Sequence, residues 1–363
     1  MRVKLKDITK FSKGTQINGK NLIDDGAYSY LNGGINPSGK WNEFNVAENT
    51  VTISEGGNSS GYVNYMNEAF WCGAHCYYLY DGPKNSKYLY YALKSQQERL
   101  FRIRSGACMP NIKKSDLGNF IIEYEEDETR QEEVVKVLEK CELLIEDYNK
   151  KLALLNEAVR TRFVEMFGDV QDAKKHSSKQ LKDICNTVTG GTPSTKHAEY
   201  YNGTIPWIST VSLGPNYIDG TTAKAFITQE AVDNSSTKII PSGSILFGTR
   251  VGVGKSSINQ VEMCTNQDIV AIIDLDESKY NKLYIKYVLD TYQSYFDSIK
   301  KGATILGISS DDLKNIYIPD ASLYEQNRFE KFVKQIDKSR SRIQKSLEAS
   351  QELFDSLMQE YFG

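Results

Sequence analysis

The stretch Phe247-Gly248-Thr249-Arg250-Val251-Gly252-Val253-Gly254-Lys255-Ser256 comes nearest to a chemical motif in this chain. A phosphate-cradling loop needs Gly, four residues, then Gly-Lys-Ser/Thr, so that backbone amides wrap the phosphates and the lysine reaches them. Here the first glycine would fall at position 249, which is Thr249. The next residues, Ser257-Ile258-Asn259-Gln260, lack the apolar pattern of a helix whose N-terminus would complete such a site. The stretch reads instead as a glycine-rich β-turn loop, in which Arg250 and Lys255 could meet DNA phosphates. Cys72-Gly73-Ala74-His75-Cys76 offers metal-ligand types at short spacing. A structural zinc takes four ligands, however, and no second CxxC or HxxxH pair accompanies it. His75, at the edge of an aromatic strand, reads as a buried, hydrogen-bonded histidine. His176 and His197 sit in polar stretches and form no cluster with it. There is no Gly-x-Ser-x-Gly nucleophile elbow. Asn36-Pro37-Ser38-Gly39 lacks the Asn-Pro-Pro-aromatic signature of an amino-methyltransferase. These readings point away from an enzyme, and from a cofactor or metal held by this chain.

The elements that position these residues occur twice. Leu5-Lys6-Asp7-Ile8 recurs as Leu181-Lys182-Asp183-Ile184, and Gly14-Thr15 is matched to Gly191-Thr192. Gly106-Ala107 matches Gly302-Ala303, and Ile112 with Ser115-Asp116-Leu117 matches Ile308 with Asp311-Asp312-Leu313. Glu165-Met166-Phe167-Gly168 matches Glu360-Tyr361-Phe362-Gly363. The offset grows from 176 to about 196, so the second copy carries about 20 extra residues in its middle.

Each copy ends in a heptad pattern. Val134, Leu138, Cys141, Ile145, Tyr148, Leu152, Leu155 and Val159 alternate steps of four and three, as do Phe329, Val333, Ile336, Arg340, Ile343, Leu347, Ser350, Phe354, Leu357 and Tyr361. No Pro or Gly interrupts either run, as a long helix requires. Two seams of similar length in one chain favour intramolecular pairing, parallel or antiparallel. A helix over 129–167 would span roughly 58 Å. Between the helical runs the pattern is α+β with a mostly antiparallel sheet. Thr50-Val51-Thr52-Ile53-Ser54 and Gly61-Tyr62-Val63-Asn64-Tyr65 form a hairpin. Phe70 to Tyr80 reads as one strand, with further strands at 243–247 and 269–273 and helices near 86–104 and 280–299.

Composition sets the outer limits. The 363 residues are 40% hydrophobic and 25% charged, as in a globular protein. No run approaches the ~18 apolar residues of a membrane span. Met1-Arg2-Val3-Lys4-Leu5-Lys6 has no signal-peptide core, and six scattered cysteines suit a reduced, cytoplasmic setting. The net charge of −3 argues against a uniformly basic nucleic-acid binder. By segment the reading changes: residues 1–124 carry +4, 125–169 carry −6, 170–319 are neutral and 320–363 carry −1. The acid sits mainly in the first helix, and 23 tyrosines suit wet, polar interfaces.

Two divergent globular regions, each followed by a similar long helix, resemble the specificity subunit of a type I restriction–modification system across essentially the whole chain. The Leu-Lys-Asp-Ile openings carry the resemblance, with Asn49-Thr50-Val51-Thr52-Ile53-Ser54-Glu55-Gly56-Gly57 and Phe70-Trp71-Cys72. So do Pro241-Ser242-Gly243-Ser244-Ile245-Leu246-Phe247 and Ile308-Ser309-Ser310-Asp311-Asp312-Leu313 leading to Pro319 and Glu325-Gln326. The first copy departs with Glu123 for Pro319 and Arg130-Gln131 for Glu325-Gln326, which leaves the start of the first helix open by a few residues.

The resemblance implies two tandem α/β target recognition domains, 1–124 and 170–319, separated by two spacer helices, 125–169 and 320–363, packed as an antiparallel coiled coil. Each domain would bind one half of a bipartite site in double-stranded DNA. The helices would set the gap and dock two methyltransferase (modification) subunits, which carry S-adenosylmethionine; restriction or motor subunits join that core. This chain would itself do no chemistry and hold no cofactor. Loop residues flanking the strands are the candidates for DNA contact: Lys13, Asn32, Ser38, Lys40, Trp41, Asn58, Ser59, Arg102 and Arg104 in the first region, and Lys196, Trp207, Ser209, Thr210, Thr249, Arg250, Lys255, Lys300 and Lys301 in the second. Two other functions compete with this one: a nucleotide-binding enzyme using the 248–256 loop, and a structural coiled-coil adaptor.

Overall fold

The computed structural model describes residues 1–106, 108–168, 178–302 and 304–363. His176, and Ala107 and Ala303 of the repeat, lie outside the described residues. The chain forms two units, one of residues 1–151 with 343–363 and one of residues 152–342.

In the first unit, Arg2–Lys4 pairs antiparallel with Ile121–Glu123 and closes the globular part on itself. Lys10–Lys13, Cys76–Tyr80, Thr50–Ser54 and Val63–Met66 lie side by side, in that order, in an antiparallel sheet. A smaller sheet orders Gly39–Trp41, Tyr28–Leu31 and Phe70–Cys72, the last two parallel. Side chains alternate faces along a strand, and the larger sheet uses both. Tyr77 and Leu79 enter the main core with Val51 and Ile53, while Cys76 and Tyr78 meet Leu31 and Phe70 of the smaller sheet. The helix Ser86–Ser95 covers the main core with Tyr88, Leu89, Ala92 and Leu93 and is capped by the Asn85 side chain.

The second unit repeats this frame. Lys179–Gln180 pairs with Tyr317–Ile318. Asn186–Thr189, Ile269–Ile273, Ile245–Gly248 and Ser256–Asn259 form the larger sheet, extended at its edge by Tyr217–Ile218. Here too the faces divide: Val270 and Ile272 enter the main core, and Ile269 and Ala271 the second cluster. Ile205–Ile208 runs parallel to Met263–Thr265, as Tyr28–Leu31 does to Phe70–Cys72. The extra residues of this copy include Tyr217–Ile218, the short helix Gln229–Asp233 and Ile239–Ile240.

Several expectations are corrected in detail. The run Phe70 to Tyr80 is two strands in different sheets, Phe70–Cys72 and Cys76–Tyr80. The Gly73–His75 turn divides them, closed by the Cys76 amide on the Gly73 carbonyl at 3.3 Å. Each expected helix after the sheet is also divided, into Ser86–Ser95 and Gln97–Arg102, and into Lys282–Thr291 and Gln293–Ile299. His75 is exposed, not buried; its ring faces Glu55 Oε2 at 3.4 Å.

The long helices are Glu128–Phe167 and Leu323–Phe362, each of 40 residues and offset by 195 at both ends. The departures at Glu123 and Arg130 therefore do not shift the first helix start. Every seam position is buried or half-buried, whereas Leu143, Leu144 and Leu154, off the seam, are exposed. In the first unit, Val134 and Leu138 share a core with Met358 and Phe362, and the Arg130 guanidinium lies 5.8 Å from the Tyr361 ring. In the second unit, Phe163 packs on Phe329 with ring centroids 5.4 Å apart, and Arg340 donates to Asn156 Oδ1 at 2.7 Å. Numbers rise along one helix as they fall along the other, so the pairing is antiparallel and intramolecular. The polar interruption Arg340 is satisfied by Asn156 and Asp337. Among the described residues no helix is long and apolar enough to cross a membrane.

Candidate nucleic-acid interface

In each unit, loops from four parts of the sequence are tied together at one end of the sheets, and the ties are backbone hydrogen bonds. In the first unit the Glu55 amide donates to the His75 carbonyl at 2.8 Å, and the Ile112 amide donates to the Glu55 carbonyl at 2.9 Å. In the second, the Thr249 amide donates to the Asp268 carbonyl at 2.8 Å, and the Ile308 amide to the Thr249 carbonyl at 2.8 Å. Ser105 and Asn111 exchange both of their backbone bonds across a small loop, at 2.8 Å each; Lys301 and Gly307 do the same at 2.8 and 3.0 Å. A fourth tie corrects the repeat by one residue. Thr15 donates to the Cys72 carbonyl at 2.9 Å, and its structural counterpart Gly191 donates to the Thr265 carbonyl at 2.8 Å. Gly14-Thr15 thus corresponds to Gly190-Gly191, not to Gly191-Thr192.

The 248–256 stretch is the tip of a hairpin. Phe247 pairs with Ser256, Gly248 donates to the Lys255 carbonyl at 2.9 Å, and Gly254 donates back to Gly248 at 3.1 Å. Gly252 and Gly254 take φ of 69° and 91°, the left-handed backbone the tight tip requires. Strand Ser256–Asn259 follows the loop, where a phosphate-cradling loop leads directly into a helix. The Cys72 and Cys76 side chains are buried, and the hydrogen bond with the neighbouring Cys76, followed by burial, raises the Cys72 thiol far above its ordinary range. Among the described residues no group of three or more His, Cys, Asp or Glu could hold a metal ion.

The frame ties several of the sequence-selected residues to its loops. In the first unit, Asn32 Oδ1 faces the His75 amide at 3.4 Å, and Ser59 donates to the Gly33 carbonyl at 2.6 Å. Arg104 donates to the Asn58 carbonyl at 3.3 Å and to the Phe101 carbonyl at 2.7 Å. Lys13 pairs with Glu55 at 2.8 Å. Ser38 and Lys40 are exposed beside this group, and Trp41 is half-buried with its ring 6.4 Å from Trp71. In the second unit Arg250 and Asp268 approach to 3.8 Å, Lys300 pairs with Asp297, and Lys196, Lys255 and Lys301 are exposed. Ser209 is half-buried, while Trp207, Thr210 and Thr249 are buried. Thr249 Oγ1 donates to the Asp268 carbonyl at 3.0 Å, and Trp207 Nε1 to the Gly191 carbonyl at 3.0 Å. These three side chains serve the frame. Lys40, Arg102, Lys196 and Lys255 carry no ion pair among the described residues and leave their charge for a partner.

Two positioning residues escaped the sequence reading. Gln97 accepts from the Val63 amide at 3.0 Å and donates to the Gly61 carbonyl at 2.7 Å, holding one hairpin tip against the helix behind it. Gln293, at the repeat offset of 196, donates to the Val253 carbonyl at 3.0 Å and holds the other. Extending the repeat match through Gln97 and Gln293 would have found them.

A family model described as the type I restriction modification DNA specificity domain matches residues 1–157 and again 174–351. The chain belongs to this family. Curated relatives in it include a type I restriction enzyme specificity subunit of Methanocaldococcus jannaschii, 35% identical over 151 residues, which are 41% of this chain and 35% of that protein. A putative type I specificity subunit of Mycoplasma pneumoniae is 35% identical over 162 residues, 44% of this chain and 43% of that protein. The EcoR124I/EcoR124II specificity subunit of Escherichia coli is 29% identical over 236 residues, 61% of this chain and 55% of that protein. The matched stretches thus span about a third to about half of these relatives' lengths. The crystal structure of a type I restriction–modification S subunit from M. genitalium superposes with a TM-score of 0.66 at 19% identity, covering 100% of this chain and 96% of that one. This type I specificity-domain chain shares that fold.

Proposed function

We propose that this chain supplies DNA sequence specificity to a type I restriction–modification complex. Residues 1–124 and 170–319 each bind one half of a bipartite site in double-stranded DNA. The spacer helices, within 125–169 and 320–363, set the gap between halves and dock two modification subunits. Methylation, with its S-adenosylmethionine, belongs to those subunits; cleavage and translocation belong to restriction or motor subunits. This chain catalyses no step and works in the cytoplasm. The observation that carries the reading is the doubled loop frame, whose backbone ties match position for position while the loop contents differ. Two equal frames with different side chains suit two different half-sites. Phosphates are met by unpaired cations such as Lys40, Arg102, Lys196 and Lys255, and bases by polar tips such as Asn58. Lys13, Asn32, Ser38, Trp41, Ser59, Arg104, Ser209, Arg250, Lys300 and Lys301 complete the exposed or half-exposed set, with Trp207, Thr210 and Thr249 supporting it from beneath. Linking both units in one chain makes the second half-site contact intramolecular.

Methylation-sensitive sequencing of a host expressing this chain with its modification subunit tests the reading. Replacing residues 1–124 with those of another family member should change one half of the methylated motif and leave the other half and the gap intact. An unchanged motif would refute it.

A further inference from the structure

Small loops follow the short helices in both units, between Ser105 and Asn111 and between Lys301 and Gly307. Each is closed by the double backbone bond described above. Each opens on a glycine with positive φ, 98° at Gly106 and 147° at Gly302. A Cβ at those positions would strike the Met109 carbonyl oxygen at 2.7 Å and the Ile305 carbonyl oxygen at 2.2 Å, so the tight turn-back requires glycine. Met109 and Ile305 occupy the same place at the repeat offset of 196. Both point a large apolar side chain at solvent: Met109 is 76% exposed, and Ile305 and its neighbour Leu306 are 56% exposed. Each loop is fixed beside the hairpin tip of its unit, through Gly57 on the Pro110 carbonyl at 2.9 Å and Ile308 on the Thr249 carbonyl at 2.8 Å. Cations flank both: Arg102 and Arg104 on one, Lys300 and Lys301 on the other.

We propose that Met109 and Ile305 are apolar wedges that enter a base step of the bound duplex, one in each half-site. The inference rests on the DNA-recognition reading above and adds a mode of contact to it. Base-edge readout calls for hydrogen-bonding side chains suited to a particular base. A bulky apolar group at one fixed position in two frames with otherwise different contents suits a sequence-neutral contact instead. Partial unstacking by an inserted Met, Leu or Ile is such a contact, with flanking cations on the adjacent phosphates. The double backbone bond at the base of each loop ties Met109 and Ile305 to the frame of their unit.

The test uses the full chain in complex with its modification subunit. The probe is a duplex carrying the motif read from the host methylome, with 2-aminopurine placed in turn at each position except the methylated adenines and their neighbours. The wild-type complex should give a several-fold fluorescence rise at one step in each half-site. Met109→Ser should abolish the rise in the half bound by residues 1–124 alone, and Ile305→Ser the rise in the other half alone, while Met109→Leu retains it. Neither serine variant should change the slope of log affinity against log salt, whereas Arg102→Gln should lower it by about 1. Specific binding without any unstacked step, or a rise that survives both serine substitutions, overturns the wedge. A wild-type complex that binds motif and scrambled duplexes equally overturns the recognition reading and the wedge with it.

Discussion

Gln97→Ala should loosen the hairpin between Thr50–Ser54 and Val63–Met66 without unfolding the unit that carries it. Gln97 makes two bonds to the hairpin, from the Val63 amide at 3.0 Å and to the Gly61 carbonyl at 2.7 Å. Val63 is fully buried, and its amide points away from the strand Thr50–Ser54 toward the glutamine. Truncation leaves that amide without a partner, which costs about 1–3 kcal/mol for a buried donor, and the Gly61 bond adds about 1 kcal/mol. Local opening of the 55–62 tip should become easier by roughly 2–4 kcal/mol, which is about 30- to 700-fold in the opening equilibrium. Native-state hydrogen exchange of the Val63, Ser54 and Gly61 amides reads this directly, and amides of the Ser86–Ser95 helix serve as the unaffected reference. If Val63 exchange rose less than about threefold, the glutamine would not be holding the hairpin, and the argument for Gln293 would fall with it.

Two further outcomes are expected. Phe163→Ala removes a fully buried ring packed on Phe167, Tyr284 and Phe329 at centroid distances of 5.1, 5.9 and 5.4 Å, and should destabilise the unit of residues 152–342 by about 3–5 kcal/mol. Urea unfolding followed by a probe in that unit checks it, and a loss below about 1 kcal/mol would contradict the packing. The Ser309 hydroxyl and amide hold the Asp312 carboxyl below its ordinary 3.8 in the cap of helix Ser310–Lys314. A depressed carboxylate contributes stability fully present above 3.8 and lost as the pH falls through the lowered folded value. Protection of the 310–314 amides should therefore hold down to about pH 4 and fall below it, and Asp312→Asn should flatten that dependence.

Much of the frame is legible in sequence because it is written in periodicity. The seam from Val134 to Val159 and its partner from Phe329 to Tyr361 step by four and three, and every one of those positions is covered. The Thr50–Ser54 hairpin follows from alternation and glycines. Periodicity alone left the orientation of the helix pair open, because one heptad seam fits parallel and antiparallel partners alike; the antiparallel pairing came from the family resemblance. The break at Gly73–His75 was hidden by an unbroken aromatic run serving two sheets. Trp71 and Trp207 show the same limit. Both indoles donate to the equivalent carbonyl, of Thr15 at 2.7 Å and Gly191 at 3.0 Å, but from different strands of a parallel pair, so no residue-by-residue match reveals it. At the candidate interface, glycine and cation content pointed to the loops but not to their side-chain directions. Which side chains face inward was not legible, since Thr249 and Thr210 look like ordinary loop polar residues until the backbone ties are seen.

Those ties are amide-to-carbonyl throughout, at Glu55, His75 and Ile112 and again at Thr249, Asp268 and Ile308. Such joints are indifferent to the side chains they carry, which makes each frame an unusually permissive host for randomisation. Positions 58 and 59, and 250 and 251, could be diversified while the glycines with positive φ at 57, 252 and 254, the two glutamines and the buried strand ends stay fixed. If the proposed function holds, a selection for new methylation motifs could then search loop sequence space one unit at a time, without first repairing the fold.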